Sequence, residues 1–251
     1  RFARGEQVTS NTGQPIKLRT PFDFLMITDH SDILGAITDI FKGIPKILAD
    51  PDGKWFHEEF NAGGQRAKDA AVEMIRQFAQ GELSEALNYQ PGNPAYRRAW
   101  DDIVDAAEEF NDPGHFTTFS AYEWTSLENG NNLHRNVILR DGGERARQVV
   151  PFTTQPPLGT QDPLDLYQWL ENYEANTGGQ ALAISHNGNL SNGWMFPTRK
   201  TYAGGKVDRN YVEQRAKWEP LYEVTQIKGD GETHRYLSPT DEFADFETLD
   251  K

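Results

Sequence analysis

The chain has 251 residues, 37% of them hydrophobic and 25% charged, enough to bury a substantial core as one large domain or two small ones. Its net charge of −13 comes with no basic block, which argues against a nucleic-acid backbone as partner, because phosphate binding needs clustered Lys and Arg. The absence of cysteine excludes disulfides, thiolate nucleophiles and Cys-ligated zinc, and no apolar run approaches the roughly 18–20 residues of a membrane span.

Residues 1–20 are polar, carry the turn formers Asn11-Thr12-Gly13, and predict a loop or hairpin. The mostly apolar run from Phe22 ends in Thr28-Asp29-His30-Ser31-Asp32 and, bounded by Pro21, predicts a buried strand ending in ligand-type side chains. Ile33–Ile47 has a helical pattern interrupted by Gly43 and Pro45, and residues 54–80 predict a helix with Gly63-Gly64 as its candidate break. Asn93-Pro94 opens a helix through Phe110, with Asn as cap and Pro in the first turn. Phe116–Tyr122 predicts a second strand, ending at Glu123-Trp124. A polar turn over 126–132 leads to a third strand, Leu133–Leu139, with His134 near its start.

A long irregular connection over 141–162 precedes a helix opened by Asp162-Pro163 and closed by Gly178-Gly179. Ala181–Ser185 predicts a fourth strand running into His186-Asn187-Gly188. A long polar loop to residue 210, a short helix over 210–217 and a fifth strand, Leu221–Ile227, follow. Alternating strands and helices imply an α/β chain with a mostly parallel sheet or a barrel, and the two long loops read as covers for a site. Arg1 is not an initiator Met and no signal peptide is visible, so the chain reads as a processed or excised piece. Lack of cysteine fits a periplasmic or secreted protein, and fits many cytosolic ones.

The chemistry suggested is that of a metal. His30 and His186 directly follow apolar strands, His134 starts one, Glu123 ends one, and His234 lies beyond the last. Imidazole with carboxylate suits zinc, manganese or iron. For any single histidine a structural role is the simpler reading, and Asp29 would simply cap its turn; the coincidence across several strand ends is what points to a site. His57 and His115 read as surface residues. Arg135, Arg199 and the turn at Asn187 are candidates to hold an anionic group. There is no Gly-x-Ser-x-Gly elbow and no Walker-type loop.

These segments together resemble the PHP (polymerase and histidinol phosphatase) superfamily of metallophosphoesterases. The carriers are Phe-Leu-Met-Ile-Thr-Asp29-His30, Phe-Ser-Ala-Tyr-Glu123-Trp-Thr, Leu-His134-Arg-Asn-Val, Ser-His186-Asn-Gly-Asn and Gln-Ile-Lys-Gly-Asp-Gly-Glu-Thr-His234. They look most like an uncharacterised bacterial family of PHP-like proteins. The resemblance implies a single PHP-like domain, a distorted seven-stranded β/α barrel with up to three divalent ions (Zn, Mn or Fe) at the C-terminal strand ends. It implies His30, Glu123, His134 and His186 as metal ligands, with Asp29 orienting or supporting that shell. Glu223, Asp230, Glu232 and His234 do not map onto the superfamily pattern; lying at or beyond the next strand end, Glu223, Asp230 and Glu232 are candidates for the near shell, and His234, with Asp29 and His30, for the proton transfer to the leaving group. A small anionic ester would be the substrate. The superfamily's opening His-x-His strand and closing Asp-x-His strand do not occur in these residues, so the chain is expected to be a partial barrel whose partners are the remaining segments of the same protein. A non-catalytic binding or assembly module of the same fold is the alternative.

Overall fold

The computed structural model describes residues 1–226, 229–230, 235–236, 239–242 and 244. His234 and Glu232 therefore lie outside the described residues, and Asp230 is described only in its backbone.

The chain is α/β. A short 3-10 turn at Phe2–Arg4 is followed by a two-stranded hairpin, β1 (Val8–Thr9) and β2 (Pro15–Ile16), then β3 (Phe24–Met26). Four helices come next: α1 (Ala36–Lys42), α2 (Pro45–Ala49), α3 (Pro51–Ala62) and α4 (Gly64–Gln80). The expected breaks fall where expected. Gly43 ends α1 in the left-handed region at φ 61°, where a Cβ would meet the His57 ring at 2.7 Å, so only glycine fits. His57 is therefore not a plain surface residue: its Nδ1 meets the Ile40 carbonyl at 2.7 Å and ties α3 to the end of α1.

Helix α5 (Pro94–Phe110) starts as predicted, with the Asn93 side chain accepting from the Ala95 amide at 2.8 Å. After it come β4 (Thr117–Trp124), β5 (Arg135–Leu139), α6 (Gly143–Ala146), α7 (Pro163–Thr177), β6 (Ala181–Ser185), α8 (Arg209–Trp218) and β7 (Leu221–Tyr222). The predicted fifth strand divides: β8 (Thr225–Gln226) turns away from β7 to form a hairpin with β9 (Gly229–Asp230). The Asp162 side chain caps α7 by accepting from the Leu164 amide at 2.9 Å. Replacing it with Ala should lower stability by about 1 kcal/mol, read as a lower midpoint in urea unfolding with an unchanged slope.

One five-stranded sheet runs in the order β3-β4-β5-β6-β7. The mostly parallel sheet read from the sequence needs correction. β3 pairs parallel with β4 and β6 parallel with β7, but β5 is antiparallel to both of its neighbours. The reason is the connection. Residues 125–134 contain only a single 3-10 turn at Glu128–Gly130 and no crossover helix, and a parallel return needs about a dozen residues or more.

Side chains alternate across the sheet. Tyr122 and Trp124 of β4 and Val137 and Leu139 of β5 face the helices, where they pack with Trp100, Val104, Leu166 and Leu170 in the main core. A second core joins α1 to α4 through Ile40, Ile47, Phe56, Ala70 and Met74. The first strand is not buried as predicted. Among the described residues β3 pairs on one side only, and Phe22, Phe24 and Ile27 are about half exposed. Among the described residues no helix is long and apolar enough to cross a membrane.

Candidate metal centre

The register of the sheet delivers the candidate ligands to one end and one face. Glu123 is the last residue but one of β4, on the face opposite Tyr122 and Trp124. His30 continues the β3 register and forms an isolated parallel bridge with Glu123, whose amide donates to the Asp29 carbonyl at 2.8 Å. Ser31 returns a backbone bond to the Glu123 carbonyl, also at 2.8 Å. Because β5 runs antiparallel, its start lies beside the ends of β4 and β6. His134 directly precedes β5 and His186 directly follows β6, and the His186 amide donates to the His134 carbonyl at 3.1 Å. A strand start and two strand ends thus meet only because the sheet is mixed.

The side chains converge on the carboxylate. Glu123 Oε1 lies 2.8 Å from His134 Nδ1 and 3.5 Å from His186 Nε2, while Oε2 lies 3.4 Å from His30 Nε2. One ligand-type atom from each of Glu123, His134 and His186 falls within 4.8 Å of the others, and all three residues are buried. The 2.8 Å approach at His134 Nδ1 lacks hydrogen-bond direction, and its buried Nε2 has no hydrogen-bond partner either. Donor atoms gathered at contact distance but not aligned on each other suit a cation placed among them. His30 stands at the rim, its side chain 60% exposed.

The protonation states fit the same use. Burial alone would raise the Glu123 carboxyl, but His134, His30 and His186 beside it outweigh burial and hold it below the usual carboxylate range. Burial pushes His134 below the usual imidazole range, against the pull of Glu123. An ionised carboxylate and a neutral imidazole are the forms that bind a metal.

The other sequence candidates are distributed around this centre. Asp29 is exposed and lines, with His30, His134 and Asp32, one wall of a cavity of about 1190 Å³ whose remaining walls are largely apolar. Asn187 is buried and shapes the turn after His186: its amide donates to Glu223 Oε2 at 3.0 Å, and its Oδ1 accepts from the Asn189 amide at 3.0 Å. Glu223 also accepts from Gln226 Nε2 at 2.6 Å, so it braces the turn behind His186 rather than joining the three ligands. Arg199 is exposed on the covering loop, where its carbonyl accepts from the Val207 amide.

Arg135 departs from its predicted role. It pairs across the sheet with Trp124, on the face opposite Glu123, and is fully buried in an ion pair with Glu219 at 2.8 Å. An anion in the metal-side cavity cannot reach it. Sequence reasoning also passed over Asp32, which is buried and accepts hydrogen bonds from Thr153 and Thr154. Its place two residues past His30, opposite a long loop with paired threonines, was the available signal.

The covering loop after His186 meets the turn after β4: the Asn132 amide donates to the Leu190 carbonyl at 3.0 Å and Asn192 Nδ2 to Asn131 Oδ1 at 2.6 Å. Between them lies a smaller cavity of about 340 Å³ lined by Asn129, Asn131, Trp194 and Tyr202.

The family described as "Protein of unknown function (DUF3604)" matches residues 1–251. The chain belongs to this family. Its description assigns no activity, and no curated protein and no solved structure matches the chain.

Proposed function

We propose that this chain carries the metal centre of a metal-dependent hydrolase of the PHP type, acting on a phosphate mono- or diester. The observation that carries the reading is the buried Glu123–His134–His186 cluster, with His30 on the second oxygen of the same carboxylate. A carboxylate with histidines on both oxygens is suited to holding one divalent ion or bridging two. The donor set favours zinc, manganese or iron over magnesium or calcium. A divalent ion bound there would supply a water of lowered pKa and positive charge for an anionic ester, which this acidic chain does not otherwise concentrate.

The remaining roles fall to the chain itself. Glu123 is held ionised and His134 neutral, so neither must lose a proton when a metal binds. His30, exposed at the mouth of the cavity with its Nε2 beside the second Glu123 oxygen, would offer a further ligand there. Asp29 lines the same cavity. As for architecture, we read the five-stranded sheet as an arc of a distorted seven-stranded β/α barrel. Among the described residues its edge strands β3 and β7 each pair on one side only, and the candidate ligands gather at one end of the sheet.

The test is hydrolysis of a chromogenic phosphodiester by the protein loaded in turn with Zn²⁺, Mn²⁺ and Fe²⁺. His186→Ala should lower the rate at least about 100-fold while the far-UV circular dichroism stays unchanged. Tight metal binding with no turnover of phosphomonoesters or diesters would replace the enzyme with a metal-stabilised binding module. No metal bound under any condition would remove both.

A further inference from the structure

We propose that Asp32 is a positioning residue for the metal centre: it fixes the His30 corner by gripping residues 153–154 of the long loop between α6 and α7. The inference rests on the metal reading above and extends it to a group that touches none of the ligands.

Past His30 the backbone leaves the ladder and turns sharply. Ile33 sits at φ 52°, a conformation that β-branched residues avoid and that persists only where the surroundings impose it. Two attachments impose it here. On one side, Ser31 and Asp29 are bonded to the backbone of Glu123. On the other, Asp32 Oδ1 accepts from Thr153 Oγ1 at 2.6 Å, from the Thr154 amide at 2.9 Å and from Thr154 Oγ1 at 3.0 Å. All three residues are buried, with Asp32 3% exposed, so these bonds form away from water where an unmade bond is costly. The loop is held in turn by the Tyr96 hydroxyl, which donates to the Pro151 carbonyl at 3.0 Å. The chain from α5 through residues 151–154 to Asp32 thus buttresses the one candidate ligand that is not itself buried.

Only one oxygen of Asp32 does this work. Oδ2 is buried without a hydrogen-bond partner. Asparagine retains an equivalent Oδ1 and can keep all three bonds, whereas leucine keeps the volume and none of them. The experiment is Co²⁺ titration of the metal-free protein, followed by its visible absorption, at a temperature well below the melting point of every variant.

Asp32→Leu should bind Co²⁺ about 10–100-fold more weakly than wild type with an altered visible spectrum, and Asp32→Asn should stay within about threefold with the wild-type spectrum. Thr153→Val with Thr154→Val should fall between them, and carries the same comparison if the leucine variant does not fold. Wild-type affinity and spectrum in Asp32→Leu overturn the proposal, because a role confined to fold stability would lower the melting temperature alone. Asparagine failing as badly as leucine overturns it too, since charge rather than acceptor geometry would then be what matters. His186→Ala is the control: loss of Co²⁺ there with retention in Asp32→Leu removes this inference alone. A wild type that binds no Co²⁺ removes the metal reading and this inference with it.

Discussion

Glu123→Gln should weaken divalent-metal binding at least about 100-fold while leaving the metal-free fold standing. The carboxylate is the one group in contact with all three histidines, through Oε1 to His134 and His186 and through Oε2 to His30. Glutamine preserves its length and shape but not its charge, and a neutral amide is a poor ligand for the metals this donor set favours. The backbone bonds that Glu123 makes to Asp29 and Ser31 do not involve the side chain, so the strand ends stay joined. Removing a buried charge in the absence of metal should change unfolding free energy by no more than about 1 kcal/mol. Calorimetric titration with Zn²⁺ and urea unfolding of the metal-free protein, done on the same sample, separate the two effects. Equal affinity in the variant and the wild type would place the metal elsewhere.

The pH dependence follows from the same contacts. A proton competes with a metal for His134 only below that residue's folded-state pKa, which burial holds under the usual imidazole value of about 6.5. Glu123, also held low, presents no competing proton in that range. At this pair of ligands, affinity should therefore persist as pH falls through the ordinary histidine range and decline only at more acid values. The ring-proton resonances of His134 in the metal-free protein should titrate below about 6.5; a midpoint at or above that value would overturn this expectation.

Much of this was legible in the residues because local signals and tertiary packing agree. Asn93-Pro94 and Asp162-Pro163 open helices whose caps the structure shows bonded as the sequence implied. Gly43 and Gly63 interrupt the helices at positive φ, a conformation that residues with side chains rarely adopt. The grouping of Glu123, His134 and His186 was legible as a coincidence of ligand types at strand boundaries. The direction of β5 was not read, though its short connection to β4 contained it. A parallel β5 would have carried His134 to the far end of the sheet. Arg135 illustrates the converse limit. Sequence shows an arginine beside a candidate ligand, but the two-residue period of the strand sends neighbours to opposite faces, and the partner that takes it lies on a distant helix end. The exposed β3 was missed for a related reason, since an apolar run does not report whether both of its edges are paired.

That misplaced arginine carries the second large expectation. Glu219→Gln should destabilise the protein by about 3–5 kcal/mol, more than Arg135→Met does. Glu219 is buried, and its carboxylate is the shared centre of a small network. Arg135 Nε meets Oε1 at 2.8 Å, the Tyr167 hydroxyl donates to Oε1 at 2.6 Å, and Arg215 Nη2 lies 2.7 Å from Oε2. Burial alone would raise the Glu219 carboxyl, yet Arg135 and Arg215 outweigh it and hold the group below the usual range. Neutralising it leaves the guanidinium of Arg135, 1% exposed, without its counter-charge in a site that water does not reach. Methionine at 135 leaves Glu219 with Arg215 and Tyr167, so less is lost. The sign of the pH effect follows. A carboxyl with a depressed folded pKa contributes stability that is present above its unfolded value, about 4.3, and lost as pH falls through the lower folded value. The wild type should therefore lose stability in acid more steeply than Glu219→Gln, in urea midpoints measured from pH 6 to pH 3. The network also reaches the candidate site from behind: Arg215 Nη1 donates to the Met195 carbonyl at 2.6 Å and its guanidinium stacks on Phe196, 4.6 Å from the ring centre, anchoring the loop that follows His186. Loss of metal affinity in Glu219→Gln at temperatures where it remains folded would show that this anchoring holds His186 in place, and unchanged affinity would confine the network to stability.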